Sequence, residues 1–363
     1  MDPRIREHAE VIVDHSVSIS TGDTVEIQAP VVAEDLAVAL YEKLGERGAK
    51  PSLSMRSPRA DRAFLRNCDA DDIELLDHTL AALEETDAVI IIKGSENTAE
   101  TSDVPTEKTA ARARANAPIQ RERMGKRWVG TQFPAPGDAQ LAEMSTEAYE
   151  AFVYRAVNKD WDEQREHQQR MVELLDPADE VRIVSGDATD LAMSVEGMKT
   201  VNDYGEKNLP GGEVFTAPVP DSVEGEILFD KPLVRQGNIV ENVWLKFEEG
   251  EVVDFSAEKN EEVLAGVLDT DDGARRLGEL GIGMNRDIDR FTYNMLFDEK
   301  MGDTIHLAVG QAIGETVPDG QPLNESATHV DMIVDMSEDS FIEVDGEVVQ
   351  RNGTFRFEDG FEK

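Results

Sequence analysis

A chain of 363 residues with 76 Asp and Glu against 36 Lys and Arg carries a formal charge of -40. Such a chain repels polyanions, which excludes nucleic acid and anionic membrane surfaces as partners. Its one cysteine, Cys68, excludes an internal disulfide and a thiolate metal cluster, and no apolar run reaches the length of a membrane span.

The length exceeds one ordinary core, so two domains are expected. The acids are spread along the chain, which reads as a highly charged folded surface and not a disordered tail. At molar salt the Debye length falls to about 3 Å and such a surface stops repelling itself. With no apolar signal core in Met1 to His8, a halophilic cytoplasmic setting is expected.

In chain order, Ile5, Ala9, Ile12 and Val13 recur at helical spacing, and Gly22-Asp23 turns the chain into a strand over Thr24 to Ile27. A helix is expected from Ala33 to Gly48, with Leu36, Leu40 and Leu44 on one face and Gly48 as its stop. A strand over 51–55, a helix over 71–85 and a strand over 88–92 follow. The last is apolar on both sides, as strands of helix-covered parallel sheets are. Helical pattern over 110–123, a strand over 127–133 and a long helical region over 145–175 complete an open α/β domain, residues 1–177.

Asp176-Pro177 breaks that pattern, and short alternating runs take over at 180–184, 191–195, 213–217, 226–229, 242–247 and 251–256. They predict a largely antiparallel β domain, residues 178–363. A short helix is read over 271–280, and a closing hairpin over 341–349 and 354–357 around Arg351-Asn352-Gly353.

Two of the six histidines fall in this second half on alternating segments, Thr304 to Val309 and Thr328 to Asp335. In an extended strand residues i and i+2 share a face, so His329 and Asp331 project side by side as a nitrogen and an oxygen ligand. Glu213 follows the turn Asn208-Leu209-Pro210-Gly211-Gly212, and Glu279 sits among glycines that let the backbone pass close to a ligand or another chain. The set Glu213, Glu279, His306, His329 and Asp331 offers the mixed oxygen and nitrogen ligation that suits zinc, cobalt or manganese.

Four blocks around these residues resemble the motifs of the thermophilic-type metalloaminopeptidases, the family of aminopeptidases T, S and II. They are Asn208 to Pro218, Leu277 to Asn285, Asp298-Glu299-Lys300 with Thr304 to Gly310, and Ser326 with His329-Val330-Asp331. Gly22-Asp23 and Gly48-Ala49-Lys50-Pro51 resemble the N-terminal half more weakly. The resemblance implies a dinuclear site with two divalent ions held by Glu213, Glu279, His306, His329 and Asp331. It also implies removal of N-terminal residues from peptides, and homodimers whose active sites face an enclosed space. One departure stands out: the family commonly carries a Tyr seven residues after the first ligand His, and this chain has Ile313. Tyr293, the only tyrosine between Glu279 and the C-terminus, is the candidate substitute.

Two ions can divide the work of binding a substrate and acidifying a water, and a carboxylate with two oxygens, Glu279, is the natural bridge. Glu299 is the candidate for moving the water's proton to the leaving amine, or else an ordinary ion pair with a neighbouring base. Lys300 reads as a group that holds a substrate carboxylate or as a surface charge, and nothing in the sequence favours the first over the second. Two other readings keep the site: a dinuclear phosphoester hydrolase, and a non-catalytic, metal-stabilised acidic binding protein.

Overall fold

The doubly apolar run Ala88–Lys93 becomes an inner strand of a parallel sheet, as burial on both faces requires. In the computed structural model, which describes residues 1–235 and 237–362, the strand order of this sheet is Lys50–Arg56, Thr24–Pro30, Ala88–Lys93, Arg127–Gln132, Asn208–Leu209. Its helices include Glu34–Arg47, which buries Leu36, Leu40 and Leu44 and stops where Gly48 takes a left-handed φ of 74°. The sheet and its helices form one compact unit, Met1–Lys159 with Gly205–Gly211.

The long helical region over 145–175 is two helices, Thr146–Val157 and Trp161–Leu175. Asp160 starts the second by accepting from the backbone N–H groups of Asp162 and Glu163, the usual way a helix satisfies its first donors. Met171 and Leu175 then join the core of the other unit, so the chain divides at Lys159 and Asp160 and not near 177.

The second unit, Asp160–Tyr204 with Gly212 onward, is antiparallel. An eight-stranded sheet and a five-stranded sheet supply most of one apolar core. The five-stranded sheet runs His329–Asp335, Thr304–Gly310, Leu277–Gly283, Glu213–Thr216, Val201–Asp203. Its core-facing residues alternate: Val214; Leu280 and Ile282; Ile305, Leu307 and Val309; Val330, Met332 and Val334. The strand period of two therefore turns Glu213, Glu279, His306, His329 and Asp331 to the opposite face.

The expected helix over 271–280 is corrected by the structure. Asp272–Arg275 makes one 3-10 turn and Leu277–Gly283 is a fully buried strand. Gly278, Gly281 and Gly283 favour neither structure by propensity, but each sits where a Cβ would collide with a neighbour: Gly310 O at 2.4 Å, the His306 ring at 2.0 Å and Met301 O at 2.1 Å. Tertiary closeness, not local preference, selects the strand. The closing hairpin is a meander of Ser340–Val344, Glu347–Arg351 and Thr354–Phe355.

Candidate metal centre

Register brings the five residues together. Gly281 pairs with His306, Glu279 with Ala308, Ala308 with Asp331, Gly283 with Glu213, and Gly310 with His329. Three adjacent strands and the one beyond thus place four acidic or imidazole positions, plus His329 at a strand start, within one patch of sheet.

His306 Nε2 lies 3.3 Å from Glu213 Oε2 and 3.4 Å from Glu279 Oε1. His329 Nε2 lies 3.4 Å from Glu279 Oε2 and 3.3 Å from Asp331 Oδ1. Two trios result, Glu213 with Glu279 and His306, and Glu279 with His329 and Asp331, each with ligand atoms within 4.8 Å of one another. Glu279 belongs to both and offers one oxygen to each.

The two halves differ in support. His329 Nδ1 sits 2.7 Å from the Gln311 carbonyl oxygen. Donation there fixes the tautomer and leaves the Nε2 lone pair facing Glu279 and Asp331. The His306 ring is held by shape, its Cε1 and Nε2 lying 2.0 Å from where a Cβ on Gly281 would stand. The first trio is buried and the second is partly open, with the His329 side chain 30% exposed.

Electrostatics show a cluster short of positive charge. Burial pushes the Glu213 carboxyl up to about 8, against the pull of Lys300, and burial likewise raises Glu279. Burial alone would lower both imidazoles. The contacts and charges of Glu279 and Glu213 outweigh it and lift His306 to about 10; those of Asp331 and Glu279 lift His329 to about 9. For Asp331, burial is outweighed by the His329 hydrogen bond and the carboxyl is lowered. Glu213 Oε2 is buried with no hydrogen-bond partner among the described residues. Hard oxygens, two imidazoles and an unsatisfied carboxylate oxygen are a donor set that fits divalent ions such as zinc, cobalt or manganese, which displace protons from such groups.

Three features escaped the sequence. Lys300 is wholly buried, its Nζ 3.1 Å from Glu213 Oε1, paired with Glu299 and 3.9 Å from Asp203 Oδ2. Gln168, on the helix Trp161–Leu175, donates to the backbone carbonyls of Asp203 and Glu213 at 2.9 Å. The Gln311 carbonyl is invisible to residue type, whereas the Glu279, Gly281 and Gly283 alternation was a usable sign of a strand passing close beneath other groups. Glu299 does form an ion pair with a neighbouring base, and that base also holds Glu213. Tyr293, at a left-handed φ of 60°, packs edge-on against Phe291 with centroids 5.0 Å apart, and Ile313 precedes the 3-10 turn Gly314–Thr316.

Comparison with known proteins agrees with this chemistry. Aminopeptidase 2 of Geobacillus stearothermophilus is 28% identical over 421 aligned positions, covering 98% of both chains. Aminopeptidase AmpS of Bacillus subtilis (strain 168) is 34% identical over 264 residues, 63% of each chain. The solved structure of wild-type AmpT from Thermus thermophilus superposes with a TM-score of 0.88 at 26% identity, over 97% of this chain and 99% of that one. The family model described as thermophilic metalloprotease (M29) matches residues 1–355, so the chain belongs to that family.

Proposed function

We propose that the protein is a metal-dependent aminopeptidase that removes N-terminal residues from peptides at a two-ion site formed by Glu213, Glu279, His306, His329 and Asp331. The observation that carries this reading is Glu279, whose two carboxylate oxygens face two separate ligand trios. Family membership and relatives named as aminopeptidases support the reaction class. Bound divalent ions, zinc, cobalt or manganese, supply Lewis acidity and an acidified water.

The chain's own residues do the rest. Glu279 holds the two trios at a fixed separation. Glu299, paired with Lys300 at the edge of the cluster, carries a proton from the attacking water to the leaving amine. Gln311 and Gly281 hold the imidazoles in place. The protein works as a homodimer in a halophilic cytoplasm, a reading supported by the family resemblance and the charge of -40. Among the described residues no helix is long and apolar enough to cross a membrane.

The test is a panel of aminoacyl chromogenic amides, N-blocked peptides and a phosphodiester, assayed with each metal in molar potassium chloride. Cleavage of the free-amine amides alone is expected. Phosphodiester hydrolysis in their place, or turnover of none of the three, would overturn the reading.

A further inference from the structure

Among the described residues of the second unit, Lys300 is the lysine that is buried completely, and it has no place in the ligand set. Burying an ammonium costs several kcal/mol unless charge partners repay it, and Lys300 has three: Glu213, Glu299 and Asp203, whose side chains are 6%, 15% and 10% exposed. Glu213 and Glu299 lie within hydrogen-bond reach of the ammonium's donors, while Asp203, at 3.9 Å, acts through its charge.

The backbone holds this lysine against Glu213 from both sides. Asp298 accepts from Thr292 N at 2.8 Å and Thr292 Oγ1 at 2.7 Å, closing the loop before it. Lys300 N donates to Phe297 O at 2.9 Å, and Lys300 O accepts from Asn285 N at 3.0 Å. Asn285 in turn packs on Gly212, where a Cβ would meet the Asn285 Cβ at 2.4 Å, and Met284 N donates to Gly212 O at 2.7 Å. Gly212 immediately precedes Glu213, so the two charged residues are set by one rigid junction.

The two glutamates of the first trio then differ in what they can offer. Glu279 turns both oxygens to imidazoles. Glu213 has Oε1 taken by Lys300, and only Oε2, which lacks a hydrogen-bond partner, faces His306 at 3.3 Å. We propose that Lys300 is a positioning residue that restricts Glu213 to a one-oxygen terminal ligand and leaves the bridging role to Glu279. The proposal rests on the metallopeptidase reading above. Among the described residues, the ion-pair partner of Glu213 Oε1 is Lys300 alone, so loss of the ammonium frees that oxygen to turn inward.

Calorimetric titration of cobalt into metal-free protein in molar potassium chloride reads each ion, and the visible absorption of bound cobalt reports its coordination. Wild type should take two ions; fewer would sink the metallopeptidase reading and this inference with it. Given two, Lys300→Met should weaken one ion about 10- to 100-fold and alter its visible band, while the other stays within about twofold. Lys300→Arg, which keeps charge but not the single-point contact, should restore only part of the loss. Unchanged affinities and an unchanged band, with only a lower melting temperature, would make Lys300 an ordinary buried ion pair and overturn the proposal. If the variants do not fold, a structure of zinc-loaded wild type decides. Glu213 bound through Oε2 alone, with Oε1 still on Lys300, supports it; chelation through both oxygens contradicts it.

Discussion

Two histidines of this chain are buried to the same degree, His8 at 0% and His306 at 1% exposed, yet their chemistry is opposite. His8, in the first unit, has Nε2 2.7 Å from Thr131 Oγ1 and stands edge-on to Tyr154. Burial drives its pKa down to about 3 and keeps it neutral. His306, in the second unit, pays the same desolvation, but Glu279 and Glu213 outweigh it and raise it to about 10. Burial makes a histidine a core residue; a surplus of carboxylates around it makes a place where protons and divalent cations compete.

The comparison can be broken most severely at Glu279. Glu279→Ala should cut hydrolysis by about 10²- to 10³-fold or more, and an active variant would remove Glu279 from the site. Gly281→Ala comes next, because its Cβ would overlap the His306 ring. A displacement near 1 Å should cost about 10²-fold in kcat/KM, and unchanged kinetics would mean that the ring's place is immaterial.

Replacing the histidines themselves separates the two environments. His329→Ala and Asp331→Ala should weaken metal binding while circular dichroism at high salt stays native, since a ligand cluster loses affinity before the fold loses its core. Global unfolding would instead mark them as core. His8→Ala should do the reverse, lowering stability by about 1 to 3 kcal/mol through the orphaned Thr131 hydroxyl and leaving metal affinity unchanged. Denaturant melts and metal titrations on the same samples check both.

A pH dependence carried by His8 sharpens the comparison further. Its folded pKa of about 3 lies below the unfolded value near 6.5, so between them the unfolded state binds a proton that the folded state does not. Stability should therefore be lost as pH falls from 6.5 toward 3, with a slope of up to about 1.4 kcal/mol per pH unit from this group. His8→Gln should lack that contribution, so the parent's stability lead should shrink on acidification; a constant gap would refute the assignment.

Much of this was legible because strands alternate. Ile305, Leu307 and Val309 announce a core face, and the same period sets His306 on the other side, with His329 and Asp331 sharing a face two residues apart. What stayed hidden depends on long-range closeness. The helix expected over 271–280 runs into the strand Leu277–Gly283, whose glycines are explained only by what passes over them. The helix Trp161–Leu175 continues its predecessor's apolar pattern, and only a capping Asp160 divides them. Lys300 could not be told from a surface charge, since two of its three partners, Asp203 and Glu213, lie far off in the sequence and the third is the residue beside it. His8 illustrates the converse, a histidine that composition cannot distinguish from a ligand until its neighbours are known.

The claim at the centre is that one carboxylate serves both halves of the cluster. Equilibrium dialysis of metal-free protein against zinc in molar potassium chloride, followed by elemental analysis, tests it directly. Two ions per chain in wild type, falling to one or fewer in Glu279→Ala, are predicted; one ion or none in wild type, or two retained in Glu279→Ala, would contradict it.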